Sequence, residues 1–364
     1  MLIKNIRRGN TYLEIYDKND RFLLKDTIVG RKGLMKFYDL QPEYMLDDET
    51  FRSEHNFLTR NSKRASEDHM NANIRNYIMG NVVSSLDQGA YIEVVKTLKV
   101  NGENAQVSWV DSEGIWCIAS KNVGILAKSS DDLKKYKTSG NQRYQYAVEI
   151  AYAWFKVLNS LKNKKVPLAK LQKAMDGKTF VGEFVGKREN QHMIGYSKET
   201  IVFYSIVDNK STDENCLLPE ESYKIFNEFK LDCVPVDRVG VYDNIDSLSE
   251  ALNHEYNVVS SASMNEEEEG SVLYMIKRGL DDDKVLSLSK LKTLEYRIFR
   301  KLREKLRNFW HKQNFKKPFD NRVQSFYDGA YQKWLYETKE LVKGHHLPQP
   351  ISFYQEIANY AFVA

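Results

Sequence analysis

"KVNGENA", residues 99–105, stands between "YIEVVKTL" and "QVSW", two stretches whose alternation and β-branched content read as strands. What joins them decides the fold. Asn101-Gly102 is the strongest short-range hairpin signal, because both residues accept positive φ at little cost, so one reading is a tight hairpin turn. The other reading is chemical: Lys99, fixed beside a tight turn, is a nucleophile held in place. The window alone leaves both open, since a short motif has a high false-positive rate by itself.

Working outward, "TYLEIYDKNDRFLLKDTIV" (11–29) reads as two strands around a polar turn, and residues 45–85 as a polar insertion without strand alternation. From Tyr91 to Leu126 the pattern is β, in "YIEVVKTLKV", "AQVSWV" and "GIWCIAS". "NQRYQYAVEIAYAWFKVLNSLKN" (141–163) carries apolar residues three and four apart with no internal Gly or Pro, which predicts an amphipathic helix. "KTFVGEFVGK", "HMIGYS" and "TIVFYSIVDN" then read as three strands, "SYKIFNEFKL" and "IDSLSEALNHEY" as helices. "GSVLYMIK" and "KVLSLSKLK" read as a hairpin turning at "RGLDDD", and the chain is helical in character from Glu295 onward. The expected fold class is α+β: a large domain of antiparallel sheets and helices over residues 1–293, then a small all-helical C-terminal domain over 294–364.

Composition narrows the function classes. The 364 residues include 42% hydrophobic side chains, enough for a packed interior, and carry a formal net charge of only +4, so overall charge does not by itself prove a polyanion partner. Cys117, Cys216 and Cys233 lie far apart without a CxxC pair, which argues against a disulfide scaffold or a cysteine zinc site and fits a reducing compartment. The seven histidines show no metal-ligand spacing. No apolar run approaches the roughly 18–20 residues a membrane span needs, so a soluble intracellular protein with no membrane partner is expected. Local charge is less even: "RIFRKLREKLRNFWHKQNFKK" (297–317) holds nine Lys or Arg and one Glu, a cationic exterior around a Phe299, Leu302, Leu306, Phe309 and Trp310 stripe.

Five polar sites recur on or beside the strands: "KVNGEN" (99–104), "ASKN" (119–122), "GEFVG" (182–186), "EEGSV" (268–272) and "SKLK" (289–292). Each has an ordinary explanation. Lys290 and Lys292 suit the solvated face of an edge strand. Glu269 ends an acidic run, and Glu183 between Val181 and Val185 would usually point outward. Lys121, Arg8 and Lys36 suit a surface, Phe203 and Tyr204 a core. In this order, however, the five resemble the motif ladder of the covalent nucleotidyltransferases, the ATP-dependent ligases and capping enzymes. "RRGNTYLEIYD" (7–17), "KFYDL" (36–40), "GEFVGKRENQHMIGYSKETIVFYSIVDN" (182–209) and "SKLKTLEY" (289–296) are similar to the phage-type RNA ligase 1 family. The resemblance spans roughly residues 7–296. It departs at a longer segment before Lys99, and at Asn101 and Glu103, where many relatives carry an acidic residue and a serine.

The resemblance implies an ATP-dependent RNA ligase on a nucleotidyltransferase (ATP-grasp-like ligase) fold. It would join RNA 5′-phosphate and 3′-hydroxyl ends in RNA repair, of cleaved tRNA by analogy, and act as a monomer. Lys99 would form the lysyl-AMP bond. A free lysine near pKa 10.4 costs on the order of 4 kcal/mol to deprotonate at pH 7.4, so neighbouring cations such as Lys290 and Lys292 would lower that cost while holding the α-phosphate. Glu269 would bind Mg2+ or Mn2+, the hard cations that suit oxygen ligands and a triphosphate. Glu183 would meet the ribose, Gly102, Lys121, Tyr204 and Tyr296 the nucleotide, and Arg8 and Lys36 the departing pyrophosphate. A DNA ligase or a capping guanylyltransferase shares this chemistry, and a non-catalytic RNA-binding protein shares its fold. The first two usually follow the Lys-x-Lys strand with a β-rich domain, whereas this tail reads helical.

Overall fold

The computed structural model describes residues 14–16, 22–23, 38–39, 81–121, 123–138, 144–186, 194, 196–208, 216–261, 269–279, 283–293 and 296. Twelve strands are present among them: β1 (Glu14–Tyr16), β2 (Phe22–Leu23), β3 (Tyr38–Asp39), β4 (Tyr91–Lys99), β5 (Glu103–Val110), β6 (Ile115–Ala119), β7 (Val123–Ala127), β8 (Lys178–Val185), β9 (Thr200–Asp208), β10 (Val236–Tyr242), β11 (Gly270–Arg278) and β12 (Lys284–Lys292). Seven form one sheet, in the order β2-β1-β7-β6-β5-β8-β9, and five form a second, β10-β4-β11-β12-β3. Neighbours are antiparallel except at two places near the margins, where β1 runs parallel to β7 and β3 parallel to β12. The chain is thus α+β with mostly antiparallel sheets.

This topology corrects the hairpin reading of residues 99–105. β4 lies in the five-stranded sheet between β10 and β11, while β5 lies in the seven-stranded sheet between β6 and β8. Val100, Asn101 and Gly102 therefore carry the chain from one sheet to the other. A turn signal reports local backbone freedom and is silent on which strand becomes the partner. The other expected hairpin is found, with β11 and β12 paired from Gly270↔Lys292 to Lys277↔Lys284. "HMIGYS" is not a strand at its described residues, Ile194, Tyr196 and Ser197. β10 and the helix Leu168–Met175 are elements that the sequence reading passed over.

Besides a helical run at 81–87 and two short 3-10 turns, the described helices are α1 (Leu133–Thr138), α2 (Gln145–Asn163), α3 (Leu168–Met175), α4 (Pro219–Glu228) and α5 (Ile245–Ser261). α2 realises the predicted amphipathic pattern. Its Ala147, Val148, Ile150, Ala151, Trp154, Phe155, Leu158 and Leu161 are buried against Val107, Ile118, Ile125, Phe180 and Phe203 of the seven-stranded sheet. It ends where Lys165 takes φ 57° and Val166 N–H closes back on Leu161 O at 2.9 Å, a left-handed cap filled by lysine just before Pro167. α5 covers the outer face of the other sheet through Leu248, Leu252 and Val259 against Ile92, Val94, Leu273, Met275 and Leu291.

The two inner faces meet in a third apolar cluster, with Val181 and Val207 on one side and Val95, Val272, Tyr274, Ile276, Val285 and Leu288 on the other. Strand alternation then dictates what continues these inner faces. Two residues beyond Val181 stands Glu183, and two and four beyond Leu288 stand Lys290 and Lys292. The apolar seam gives way at one end to a charged cleft. The expected insertion at 45–85, up to residue 80, and the helical C-terminal domain, apart from Tyr296, lie outside the described residues, as does the basic tract 297–317.

Candidate active site

Lys99 closes β4, Lys292 closes β12, and both pair in register with Gly270, the first residue of the strand between them. The residue just before that glycine, Glu269, is held from both sides by backbone bonds: its N–H donates to Lys99 O at 3.0 Å, and Thr293 N–H donates to its carbonyl at 3.1 Å. Its side chain bridges the same neighbours. Lys292 Nζ lies 2.7 Å from Oε1 and Lys99 Nζ 3.1 Å from Oε2. Glu269 is 3% exposed, so the acidic run that would ordinarily make a solvated turn ends in a buried carboxylate with two cationic partners.

Gly270 permits this geometry. Its φ of 149° lies where side chains are rarely accommodated, and a Cβ there would collide with the Leu291 carbonyl oxygen. Gly102 has a related role at the sheet crossing, where a Cβ would collide with the Phe184 carbonyl oxygen and press on Glu183. Its position is one of backbone approach between the crossing segment and β8.

Opposite forces set the two acids apart. Burial alone would raise the Glu269 carboxyl, but the Lys99 and Lys292 ammoniums and hydrogen bonds from Lys292 and Asn101 outweigh it and hold the group at about 2. Glu183, on the inner face of β8, is pushed up to about 8, first by burial and then by the Glu269 and Glu103 carboxylates, with Lys99 and Lys292 opposing. Near neutral pH Glu269 is therefore a carboxylate and Glu183 a neutral carboxylic acid. Lys99, Lys290 and Lys292 are the basic side chains there that suit a polyphosphate. Tyr204 lies beside Glu183; burial and that carboxyl push its phenol upward, and its hydroxyl accepts from Asn104 Nδ2 at 3.0 Å. Phe203, by contrast, faces the helical layer, stacked on Phe226 and edge-on to Trp154 and Phe180.

Among the remaining expected site residues, Tyr296 is 5% exposed, with the Lys292 ammonium 5.0 Å from its ring centre. Lys290 is partly buried on the Lys292 side of β12. Lys121 is exposed on the β6–β7 turn, next to Ser120, whose carbonyl accepts from Gln106 Nε2 at 3.4 Å. Arg8 and Lys36 lie outside the described residues. Sequence reasoning assigned no role to Asn101, which is 4% exposed: its Nδ2 donates to Glu269 Oε2 at 3.0 Å and to Tyr296 OH at 2.9 Å, and its N–H donates to Tyr196 OH at 2.8 Å. The Asn-Gly turn signal drew attention to its backbone and concealed its side chain.

Among the described residues no three His, Cys, Asp or Glu side chains are grouped to hold a metal ion. The donors nonetheless fit a Mg2+ or Mn2+ of the kind completed by phosphate oxygens and water. Glu269 supplies a permanent carboxylate, and Glu183 Oε2 is buried with no hydrogen-bond partner among the described residues. No helix among the described residues is long and apolar enough to cross a membrane.

No curated protein matches the chain. Among solved structures, an archaeal ATP-dependent RNA ligase in its form 1 is 15% identical, covering 71% of this chain and 57% of its own, with a TM-score of 0.38. Form 2 of the archaeal enzyme is 16% identical over 57% and 44%, with a TM-score of 0.33. A mutant Naegleria gruberi RNA ligase solved with ATP and Mn is 16% identical over 59% and 54%, with a TM-score of 0.35. The chain spans about half the length of these ligases, and likenesses at such scores carry no argument. The family comparison does: the model described as RNA ligase matches residues 92–292, from the second residue of β4 to Lys292. With more than half of its length matched, the chain belongs to the RNA ligase family.

Proposed function

We propose that the protein is an ATP-dependent RNA ligase that seals 5′-phosphate and 3′-hydroxyl ends through a lysyl-AMP intermediate, in the manner of the phage-type enzymes its motifs resemble. The observation that supports this most directly is the Lys99–Glu269–Lys292 cluster at the sheet crossing, within the family match. In the ion pair Lys99 is an ammonium, and attack needs its lone pair, so the pair with Glu269 must separate and a proton must leave first. The Lys99 amine then attacks the α-phosphorus of ATP. A nitrogen–phosphorus bond forms as the bond to pyrophosphate breaks. A 5′-phosphate oxygen of RNA next attacks the same phosphorus and frees Lys99, and the 3′-hydroxyl finally displaces AMP.

Lys290 and Lys292 would hold the phosphates and offset the charge that develops on them. Glu183, as a neutral acid, would donate to or accept from the ribose hydroxyls, and Glu269 would hold the divalent cation, whose chemistry is to neutralise triphosphate charge. Domain division near residue 293, Arg8 and Lys36 at the pyrophosphate, Lys121 and Tyr204 at the nucleotide, a monomeric state and a role in tRNA repair belong to the same reading. Incubation of wild type and Lys99→Ala with α-labelled ATP or GTP and Mg2+, followed by a denaturing gel, tests it. Label from ATP that is lost in the variant is the expected result. Label from GTP would move the protein to capping, and no label even after pyrophosphate stripping of bound AMP would leave a non-catalytic RNA binder.

A further inference from the structure

Asn101 has its hydrogen-bonding capacity arranged around Glu269. The two Nδ2 hydrogens go to Glu269 Oε2 at 3.0 Å and Tyr296 OH at 2.9 Å, while Oδ1 accepts the Ile194 N–H at 3.3 Å. These partners fix the orientation of the amide. Flipped, it would set oxygen against the carboxylate and N–H against N–H. Tyr196 OH accepts from the Asn101 N–H, so the same residue is anchored through its backbone as well. Three chain segments that share no strand with Asn101 thus converge on one buried residue, through Ile194 and Tyr196, Glu269, and Tyr296.

Its other neighbours are less constant. Among the described residues Lys99 and Lys292 are the remaining donors to the Glu269 carboxylate, and on the ligase reading both turn to phosphate for nucleotidyl transfer. Asn101 is neutral and packed at 4% exposure, so phosphate charge exerts no comparable pull on it. We infer that Asn101 is a positioning residue that keeps the Glu269 carboxylate aimed into the cleft while the two lysines exchange it for substrate. This deepens the ligase reading and rests on it. Leucine at 101 would match the shape but offer no donor, and alanine would also leave the carboxylate and Tyr296 OH short of a partner.

The experiment compares Asn101→Ala and Asn101→Leu with wild type in single-turnover labelling by ATP. The expected result is a rate constant about 10- to 100-fold lower, the range typical of residues that orient a site's ligands, with the ATP concentration at half-maximal rate changed less than about threefold. A raised half-saturation with an unchanged rate constant would overturn the inference, by making Asn101 a nucleotide contact. So would unchanged kinetics. A second arm needs no activity: melting temperatures of Asn101→Ala, Glu269→Ala and the double variant, which should be non-additive and which overturn the inference if they add. Wild type that fails to label, together with non-additive melting, would sink the ligase reading and leave the Asn101–Glu269 coupling standing. If Glu269→Ala does not fold, Glu269→Gln takes its place.

Discussion

At the scale of single residues, charge placement governs the cleft, and Glu183 shows how. Its carboxyl titrates at about 8 in the folded chain against an ordinary 4.5. A raised folded value stabilises the protein fully below the unfolded value and is lost as pH climbs to the folded one. The nucleotide-free protein should therefore lose stability between pH 4.5 and 8 on account of Glu183, and Glu183→Gln should flatten that slope. By pH 8.5 the variant should be more stable than wild type by on the order of 2 kcal/mol, less than the full shift because the residue is only partly buried. Denaturant unfolding across this pH range measures it, and parallel curves would refute it. Residue identities were legible in the sequence where chemistry and order coincided, at Lys99, Glu183, Glu269 and Lys292. Asn101 and Tyr196 were not, because an amide and a phenol gain their roles only from partners about a hundred or more residues away in sequence, such as Glu269 and Tyr296 for Asn101.

Among elements, the strands were easier to read than their pairing. β4, β5, β6, β8, β9, β11 and β12 announce themselves through alternation, and α2 through its three- and four-residue spacing. Sheet membership did not, since the same Asn-Gly crossing serves a hairpin or a change of layer, and the change of layer is what brings Gly102 against β8. β10 escaped notice because its residues are partly or fully exposed along an edge, without the apolar alternation of a buried face. The β11 start offers the sharpest test at this scale. Gly270→Ala should cost roughly 2 to 4 kcal/mol through backbone strain and collision with Leu291 O, and should abolish labelling by ATP through loss of the Lys99–Glu269–Lys292 register. Unfolding and labelling on the same preparation check both, and an active, stable variant would contradict the geometry.

For the whole molecule, the cleft is assembled from both sheets and from a residue beyond the last strand. Asn101 on the crossing holds Tyr296, three residues past the end of the expected first domain. A chain ending at residue 293 should consequently label with ATP at least tenfold more slowly than one ending at residue 300, and equal rates would show that Tyr296 is dispensable; the tenfold figure is an order of magnitude for a lost orienting contact. The ion triangle also bears on Lys99 at rest. On the proposed ligase reading Lys99 attacks phosphorus, and such an amine is equally open to acetylation, carbamylation and other adventitious electrophiles. Paired with a carboxylate that is itself 3% exposed, Lys99 would on that reading stay chemically quiet until phosphate draws it away. Acetylating reagents should modify exposed Lys162 and Lys164 well before Lys99, as peptide mass spectrometry would reveal, so that the nitrogen the ligase reading needs most is the one least spent on accidents.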